Sequence, residues 1–306
     1  MERYDIAIVG AGPAGMTAAL YALRAGKSVL LFEGESYGGQ IVQSRLVENY
    51  PGAPAINGAE LAMKMMEPLT EMGLSVTPLE IKSVSRAEDG FALTAADGTT
   101  YHARTVIVAT GVGHRRLDVA GEERFIGRGI SFCATCDGMF FRGREVAVVG
   151  GGNTAVQDAL VLSEVCSRVY LIHRRDAFRA ESHLVERMRA NDRIEIITDT
   201  VVTEVQGNLR PESLLLCNVR TNETCTLPVA GVFLAVGNVA RNEAFRGLID
   251  LDEGGFVLTD ADCKTSCAGV FAAGDCRQKK VRQLTTATAD GTIAALSAVE
   301  FLEGRG

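Results

Sequence analysis

Residues 7–15 read Ala-Ile-Val-Gly-Ala-Gly-Pro-Ala-Gly, and residues 147–155 read Ala-Val-Val-Gly-Gly-Gly-Asn-Thr-Ala, the same pattern at an offset of 140. The correspondence continues without a gap, with Ala19-Leu20 matching Ala159-Leu160 and Val29 matching Val169. Each copy is an apolar run, a G-x-G-x-x-G/A turn and a helical pattern. Glycines at those places allow a tight turn and a close approach of backbone to a pyrophosphate, and the helix N-terminus points its free N–H groups at the charge. Two such units restrict the chain to an α/β fold with two dinucleotide-binding domains.

In the first copy, residues 5–9 form the expected strand, and Gly10, Gly12, Pro13, Ala14 and Gly15 lead into a helix over 16–25. A second strand over 28–32 ends at Glu33, 23 positions after Gly10, where an acidic side chain accepts hydrogen bonds from a ribose. A further strand over 105–109 stops at Thr110 and Gly111, which join the expected binding set. In the second copy Gly150, Gly152, Asn153, Thr154 and Ala155 make the turn, and Ala155 is still small enough for a helix to pack closely on its strand. There His173, Arg174 and Arg175 stand in the place of Glu33, with Arg179 four residues further on. A carboxylate repels a 2′-phosphate and guanidinium groups fork onto it, so the second ligand is expected to be NADPH rather than NADH. The plain alternative for the basic run is a solvated edge at the start of a helix. An acidic first unit and a basic second unit imply two different ligands, each in a Rossmann-like domain.

Just before the second copy lies Ser131-Phe132-Cys133-Ala134-Thr135-Cys136-Asp137-Gly138. Two cysteines at this spacing close a small disulfide or stand open as a dithiol, one thiol of which can be a thiolate near neutral pH. Asp137 is a candidate acid for the proton that accompanies each two-electron step. Zinc needs a second Cys-X-X-Cys or a His pair at ligand spacing. The chain offers neither: Cys263 and Cys267 are three residues apart, and His102, His114, His173 and His183 are scattered. No metal is expected.

A length of 306 residues suits two domains. Loop chemistry marks Gly38-Gly39-Gln40 and Glu48-Asn49-Tyr50-Pro51-Gly52, and residues 58–72 carry helical periodicity with methionines read as packing surface. Residues 75–108 and 193–227 read as short strands with turns, and 231–237 echo the strand that ends at Gly111. The strand over 270–273 ends at Gly274-Asp275, with an acid placed to reach a ligand at the strand ends, and a helix over 285–303 follows. Crossings near Gly113 and Val239 put a domain of residues 114–241 inside one made of 1–113 and 242–306.

Hydrophobic residues at 47% and charged residues at 23% fit a globular chain, and no apolar run is long enough to span a bilayer. The start shows no charged-then-apolar leader, so a cytoplasmic location is expected. In that compartment most of the eight cysteines stay reduced and one oxidisable pair is catalytic. Cys166, Cys217, Cys225, Cys263, Cys267 and Cys276 are read as buried or incidental thiols. A net charge of −7 argues against nucleic acid or an acidic membrane as partner.

Together these motifs resemble the bacterial-type, low-molecular-weight thioredoxin reductases over essentially the whole chain. The match rests on both glycine turns, Glu48 to Gly52, Cys133 to Gly138, His173-Arg174-Arg175 with Arg179, Gly274-Asp275 and Arg282-Gln283. The resemblance implies FAD in the first unit, NADPH in the inserted one, and a homodimer. It also implies that Gly39, Gln40, Asn49, Asp275, Arg282 and Gln283 line the flavin. Electrons then pass from NADPH through FAD and the Cys133–Cys136 disulfide to oxidised thioredoxin or a thioredoxin-like protein, by exchange through a mixed disulfide. In the family pattern Cys136 faces the flavin, Cys133 attacks the substrate, Asp137 supplies and recovers the proton, and the inserted domain rotates between two states.

The loop after the pair, with an arginine matched by Arg128, docks thioredoxin in this family. Met139 stands where an aromatic residue is common, with Phe140 and Phe141 retained, and Lys279-Lys280-Val281 is an unusual approach to Arg282-Gln283, altering the flavin edge or forming a solvated loop. Two rival readings are a flavin-dependent dithiol oxidase of the same fold, which has no need of the arginine set, and a non-enzymatic redox sensor, which would show no turnover.

Overall fold

The computed structural model describes residues 3–44, 46–53 and 55–304. The chain divides into two compact units, Met1–Gly113 with Val239–Gly306, and His114–Asn238.

In the first unit, the strands Val76–Thr77, Val29–Phe32, Arg3–Val9 and Thr100–Val108 lie side by side in parallel. The first half of Thr100–Val108 continues the sheet through the antiparallel strands Gly90–Ala95 and Ile81–Ala87, and its second half pairs in parallel with Val270–Ala272. Central strands buried on both faces need apolar side chains on both, which is why Ile6-Ala7-Ile8-Val9 and Val106-Ile107-Val108 are continuous apolar runs. Alternation then divides them. Ile6, Ile8, Leu31, Ile107 and Phe271 face one core, and Ala7, Val9, Leu30, Phe32, Val106 and Val108 face the other.

The first core is closed by the helix Pro13–Arg24 packed on the long helix Leu284–Leu302. Ala14, Ala18 and Ala22 meet Ala287, Ala294 and Ala298 there, and small side chains let the two backbones approach closely. The helix Gly58–Glu71 begins at Asn57, whose side chain accepts from the Ala59 N–H. Its methionines divide: Met66 is buried and Met65 half-buried, whereas Met63 points to solvent, so only part of the expected packing surface packs. Among the described residues no helix is long and apolar enough to cross a membrane.

The second unit is built on a parallel sheet in the order Ile194–Ile197, Arg168–Ile172, Glu145–Gly150, Gly231–Ala235 and Ile130–Ser131. The helices Asn153–Val165 and Ser182–Arg189 cover one face. An antiparallel sheet of Thr200–Gly207, Pro211–Asn218 and Thr224–Pro228 covers the other through Val202, Val205, Leu214 and Leu216. Because all five strands run the same way, the turn after Gly150 and the segment after Ser131 emerge at one edge, the C-terminal edge where open α/β sheets bind ligands.

Half-buried on the helix Asn153–Val165 is Asp158, and burial pushes its carboxyl up to about 7 from 3.8. A raised carboxyl favours the protonated form in the fold, so its contribution is fully present below the unfolded value and is lost as pH rises through about 7. Asp158→Asn, which cannot ionise, is therefore expected to be more stable than the parent above pH 7, by roughly 2 kcal/mol once the conversion of 1.4 kcal/mol per unit is discounted for partial exposure. Thermal unfolding of both proteins at pH 5 and pH 8 checks this. The gain must be clearly larger at pH 8.

Candidate active site

Cys133 follows the edge strand Ile130–Ser131 and stands at the N-terminus of a short helix, Ala134–Asp137. It is joined to Cys136 by a disulfide. The Cys136 backbone N–H donates to Cys133 Sγ at 3.2 Å, and Thr135 Oγ1 lies 3.4 Å from the same sulfur. Donors aimed at that atom favour a thiolate on Cys133 once the bond is open. Asp137 is half-buried, and burial pushes its carboxyl above the usual range, against the lowering effect of a hydrogen bond from Ser131. That bond runs from the Ser131 hydroxyl to Asp137 Oδ2 at 2.6 Å, and the same hydroxyl oxygen accepts the Cys133 N–H at 3.1 Å. A carboxyl raised by burial keeps its proton to higher pH than an exposed one, which suits it to carry a proton.

The turn Gly138–Phe141 then sorts its side chains. Phe141 turns inward onto Phe233, ring centroids 5.4 Å apart, and lies over Gly231, where a Cβ would collide with its ring. Met139 and Phe140 point out, 50% and 44% exposed. Arg128 is exposed as well. Met139 is the unfamiliar residue of this loop, and it lies on the outer surface beside the cysteine pair.

At the second glycine turn, Gly152 caps the helix Asn153–Val165, and a Cβ there would meet nothing within 4 Å, so the turn faces open space. Asn153 is tied to Glu181 in both directions, its Nδ2 donating at 3.0 Å and its Oδ1 accepting the Glu181 N–H at 2.8 Å. Thr154 is exposed and Ala155 buried against the sheet. Arg174, Arg175 and Arg179 are exposed, and among the described residues none of their side chains is hydrogen-bonded or ion-paired. His173 is buried instead. Its ring stacks on Phe178, meets the Ala177 carbonyl at 3.1 Å, and fills the space beside Gly151, where any Cβ would run into it. The Arg179 N–H donates to the Gly151 carbonyl at 2.8 Å. Burial pushes His173 below its usual value, against the raising effect of its bond to the Ala177 carbonyl and with the charge of the three arginines adding to the lowering, so it packs as a neutral ring that ties the glycine turn to the arginine loop. Gly151 fills a free position of the G-x-G-x-x-A pattern, and only the neighbouring ring explains it.

In the first unit, Gly15 sits where a Cβ would collide with the Gly10 carbonyl, fixing the helix against the strand end. Beside the turn, a Cβ on Gly12 would meet nothing nearer than Gly39 Cα at 4.0 Å. Glu33 accepts the Ala11 and Glu35 N–H groups, each at 3.0 Å, one on each carboxylate oxygen, which holds it over the turn with acceptor capacity to spare. Gln40 donates to the Val112 carbonyl, and Asn49 donates to Gln283 Oε1 at 3.3 Å. Thr110 donates to the buried Asn242 at 2.7 Å, which in turn donates to the Gly255 and Cys276 carbonyls. Asn242 was not foreseen, and no sequence motif marks it.

Asp275 follows Gly274 at the end of Val270–Ala272. Burial pushes its carboxyl up, with Lys279 and Arg282 opposing. Its Oδ1 is buried without a hydrogen-bond partner among the described residues, the Lys279 ammonium standing 3.6 Å away. An acceptor in that condition suits a ligand hydroxyl. The loop is held from behind: Asp290 takes Arg277 at 2.7 Å, Lys279 at 2.9 Å and the Gly274 N–H at 3.1 Å. Arg282 lies 4.5 Å over the Phe256 ring and donates to the Asp275 and Arg277 carbonyls, each at 3.2 Å. The two lysines of the unusual segment thus part ways, Lys279 into this ionic network and Lys280 into solvent.

The model of the pyridine nucleotide-disulphide oxidoreductase family matches residues 4–291. A thioredoxin reductase of Listeria innocua is 42% identical over 98% of this chain and 94% of its own length. A bifunctional thioredoxin reductase/thioredoxin of Mycobacterium leprae is 43% identical over 98% of this chain and 66% of its own. Among solved structures, the thioredoxin reductase of Streptococcus pyogenes superposes with a TM-score of 0.93 at 42% identity, covering 99% of both chains.

Proposed function

The chain belongs to the pyridine nucleotide-disulphide oxidoreductases, among the thioredoxin reductases, and on that premise we propose that it reduces the disulfide of thioredoxin, or of a thioredoxin-like protein, with NADPH. One observation carries the reading. The Cys133–Cys136 disulfide, with a backbone donor on Cys133 Sγ and a braced carboxyl beside it, emerges at the same sheet edge as the second glycine turn, and the exposed arginine loop is tied to that turn by the Arg179 N–H on the Gly151 carbonyl.

The residues present fit both cofactors. The turn at Gly10, Gly12, Pro13, Ala14 and Gly15, Glu33 above it, and the buried Asp275 Oδ1, which accepts no hydrogen bond among the described residues, suit FAD, with Gly39, Gln40, Asn49, Thr110, Gly111, Gly274, Arg282 and Gln283 around them. Gly150, Gly152, Asn153, Thr154 and Ala155 would hold the pyrophosphate of NADPH, and the exposed Arg174, Arg175 and Arg179, on a loop anchored by the buried His173, would hold its 2′-phosphate. Bound FAD supplies the two-electron relay between nicotinamide and disulfide.

The protein's own part is thiol chemistry. With the pair reduced, Cys133 Sγ attacks the partner disulfide as a thiolate and forms a mixed disulfide. Cys136 Sγ then displaces the partner's thiol and restores the Cys133–Cys136 bond. Asp137 Oδ2 holds the proton that one leaving sulfur needs and takes it back in the next cycle. The exposed Met139, Phe140 and Arg128 offer the partner an apolar and cationic contact next to the pair. The reading includes a cytoplasmic homodimer, in a compartment that keeps Cys166, Cys217, Cys225, Cys263, Cys267 and Cys276 as thiols.

The test is anaerobic: purified FAD-loaded protein, excess NADPH and oxidised thioredoxin from the same source, with NADPH consumption followed at 340 nm. Rapid consumption is expected. A flavin that bleaches while thioredoxin draws no electrons would point to a different disulfide partner, and a flavin that NADPH does not bleach would favour the oxidase.

A further inference from the structure

We infer that Ser131 is a positioning residue for the proton-carrying carboxyl of Asp137, tying that acid to the backbone of the attacking cysteine through one hydroxyl. The inference deepens the proposed function and rests on its assignment of Asp137 as the proton carrier. Ser131 is 7% exposed and held in register with Phe233 at the end of the edge strand, so its Cα is fixed by the sheet. Its Oγ lies 2.6 Å from Asp137 Oδ2, 3.1 Å from the Cys133 N and 3.4 Å from the Cys133 O.

One hydroxyl has one proton to give and two lone pairs to fill. With Asp137 ionised, the proton goes to Oδ2, and Oγ accepts the Cys133 N–H. With Asp137 protonated at Oδ2, the carboxyl O–H donates back to Ser131 Oγ, and the hydroxyl proton turns to the Cys133 carbonyl. The N–H bond to Cys133 is kept in both states. The change between them is a rotation about one C–O bond, with no backbone movement, so the acid can gain and lose its proton without disturbing the entry into the redox pair. The 2.6 Å bond favours the carboxylate and so opposes the burial that pushes the Asp137 carboxyl up. Without the hydroxyl, burial acts alone: Asp137 holds its proton to higher pH and loses its fixed orientation.

The experiment uses FAD-loaded Ser131→Ala, Ser131→Thr, Asp137→Asn and Ser131→Ala/Asp137→Asn. Two readouts are taken: the pH dependence of kcat with NADPH and a disulfide substrate, and the titration of the Asp137 carboxyl by 13C NMR, its signal assigned by its loss in Asp137→Asn. Ser131→Ala is expected to lower kcat roughly tenfold, to move both the pH profile and the carboxyl titration to higher pH, and to leave the KM for NADPH unchanged. Ser131→Thr restores the hydroxyl and both profiles. On the Asp137→Asn background, Ser131→Ala adds nothing.

A lower kcat with an unmoved Asp137 titration, or an additive effect in the double variant, would make Ser131 a mere brace for the loop and overturn the inference while leaving the function standing. An Asp137→Asn enzyme with the parent's pH profile would instead remove Asp137 as proton carrier. Should the alanine variant not fold, Ser131→Cys keeps the shape with a weak donor, and its titration must move in the same upward direction.

Discussion

Cys133→Ser is expected to lose disulfide turnover by roughly 10⁴-fold or more, the scale seen when a nucleophile is removed, while NADPH still bleaches the flavin. The two halves of this result come from different parts of the molecule. On the proposed reading, bleaching depends on the glycine turns, the arginine trio and the residues around Asp275, and Cys133 is not among the groups assigned to either cofactor. Turnover needs a sulfur anion at the place where the Cys136 N–H donates. A serine hydroxyl keeps that hydrogen bond but is almost never ionised near neutral pH, and it cannot form a mixed disulfide. Anaerobic rapid-mixing spectra of the flavin and steady-state NADPH consumption separate the two. Turnover retained in the variant would remove Cys133 from the attacking role.

The second large effect is on the choice of nicotinamide. Arg174→Ala/Arg175→Ala is expected to raise the KM for NADPH by roughly 30- to 100-fold, the loss of two charge-assisted hydrogen-bonding partners at an exposed site, and to change the KM for NADH less than about threefold. Added salt must weaken NADPH binding to the parent more than to the variant, since exposed charges are screened. His173 makes this test clean. It is buried beneath the loop and anchors it to the glycine turn through stacking and the Ala177 carbonyl, so the backbone stays in place when the two exposed side chains are cut back. Equal losses for NADPH and NADH would mean that the arginines brace the loop and do not read the phosphate.

Much of this was legible because backbone requirements leave marks in sequence. A pyrophosphate turn needs glycines, a doubly buried strand needs an unbroken apolar run, and Glu33 lies at the distance set by one strand, one helix and the next strand. What depended on contacts between distant segments left no such mark. Gly151 looks like a free position until the His173 ring is seen beside it. Lys279 and Lys280 are identical neighbours in sequence, and the approach of Asp290 and Thr286 from the helix Leu284–Leu302, with Asp275 beside them, draws one inward. Phe140 and Phe141 are likewise adjacent, and the bare surface of Gly231 decides which one turns in. Ser131 stood within the cysteine motif, but a serine before a Cys-X-X-Cys has no reading until its hydroxyl is placed between a carboxylate and a backbone N–H.

The pairing of Val270–Ala272 with Thr100–Val108 also has a consequence for how the chain acquires its structure. Val270 meets Val106, 164 residues earlier, and the insertion between them closes on itself locally, the Arg115 N–H bonding the Gly237 carbonyl. Closing so long a loop as flexible chain is entropically costly, but a folded insertion brings its own ends together and leaves little to close. On the ribosome the inserted unit is therefore complete first. The strand Arg3–Val9 with its helix, made before the insertion, stays an apolar half-sheet until Leu284–Leu302, made after it, arrives to cover it. A chain truncated before Leu284 thus leaves the core beneath Pro13–Arg24 uncovered, which makes Leu284–Leu302 the element whose arrival closes the first unit.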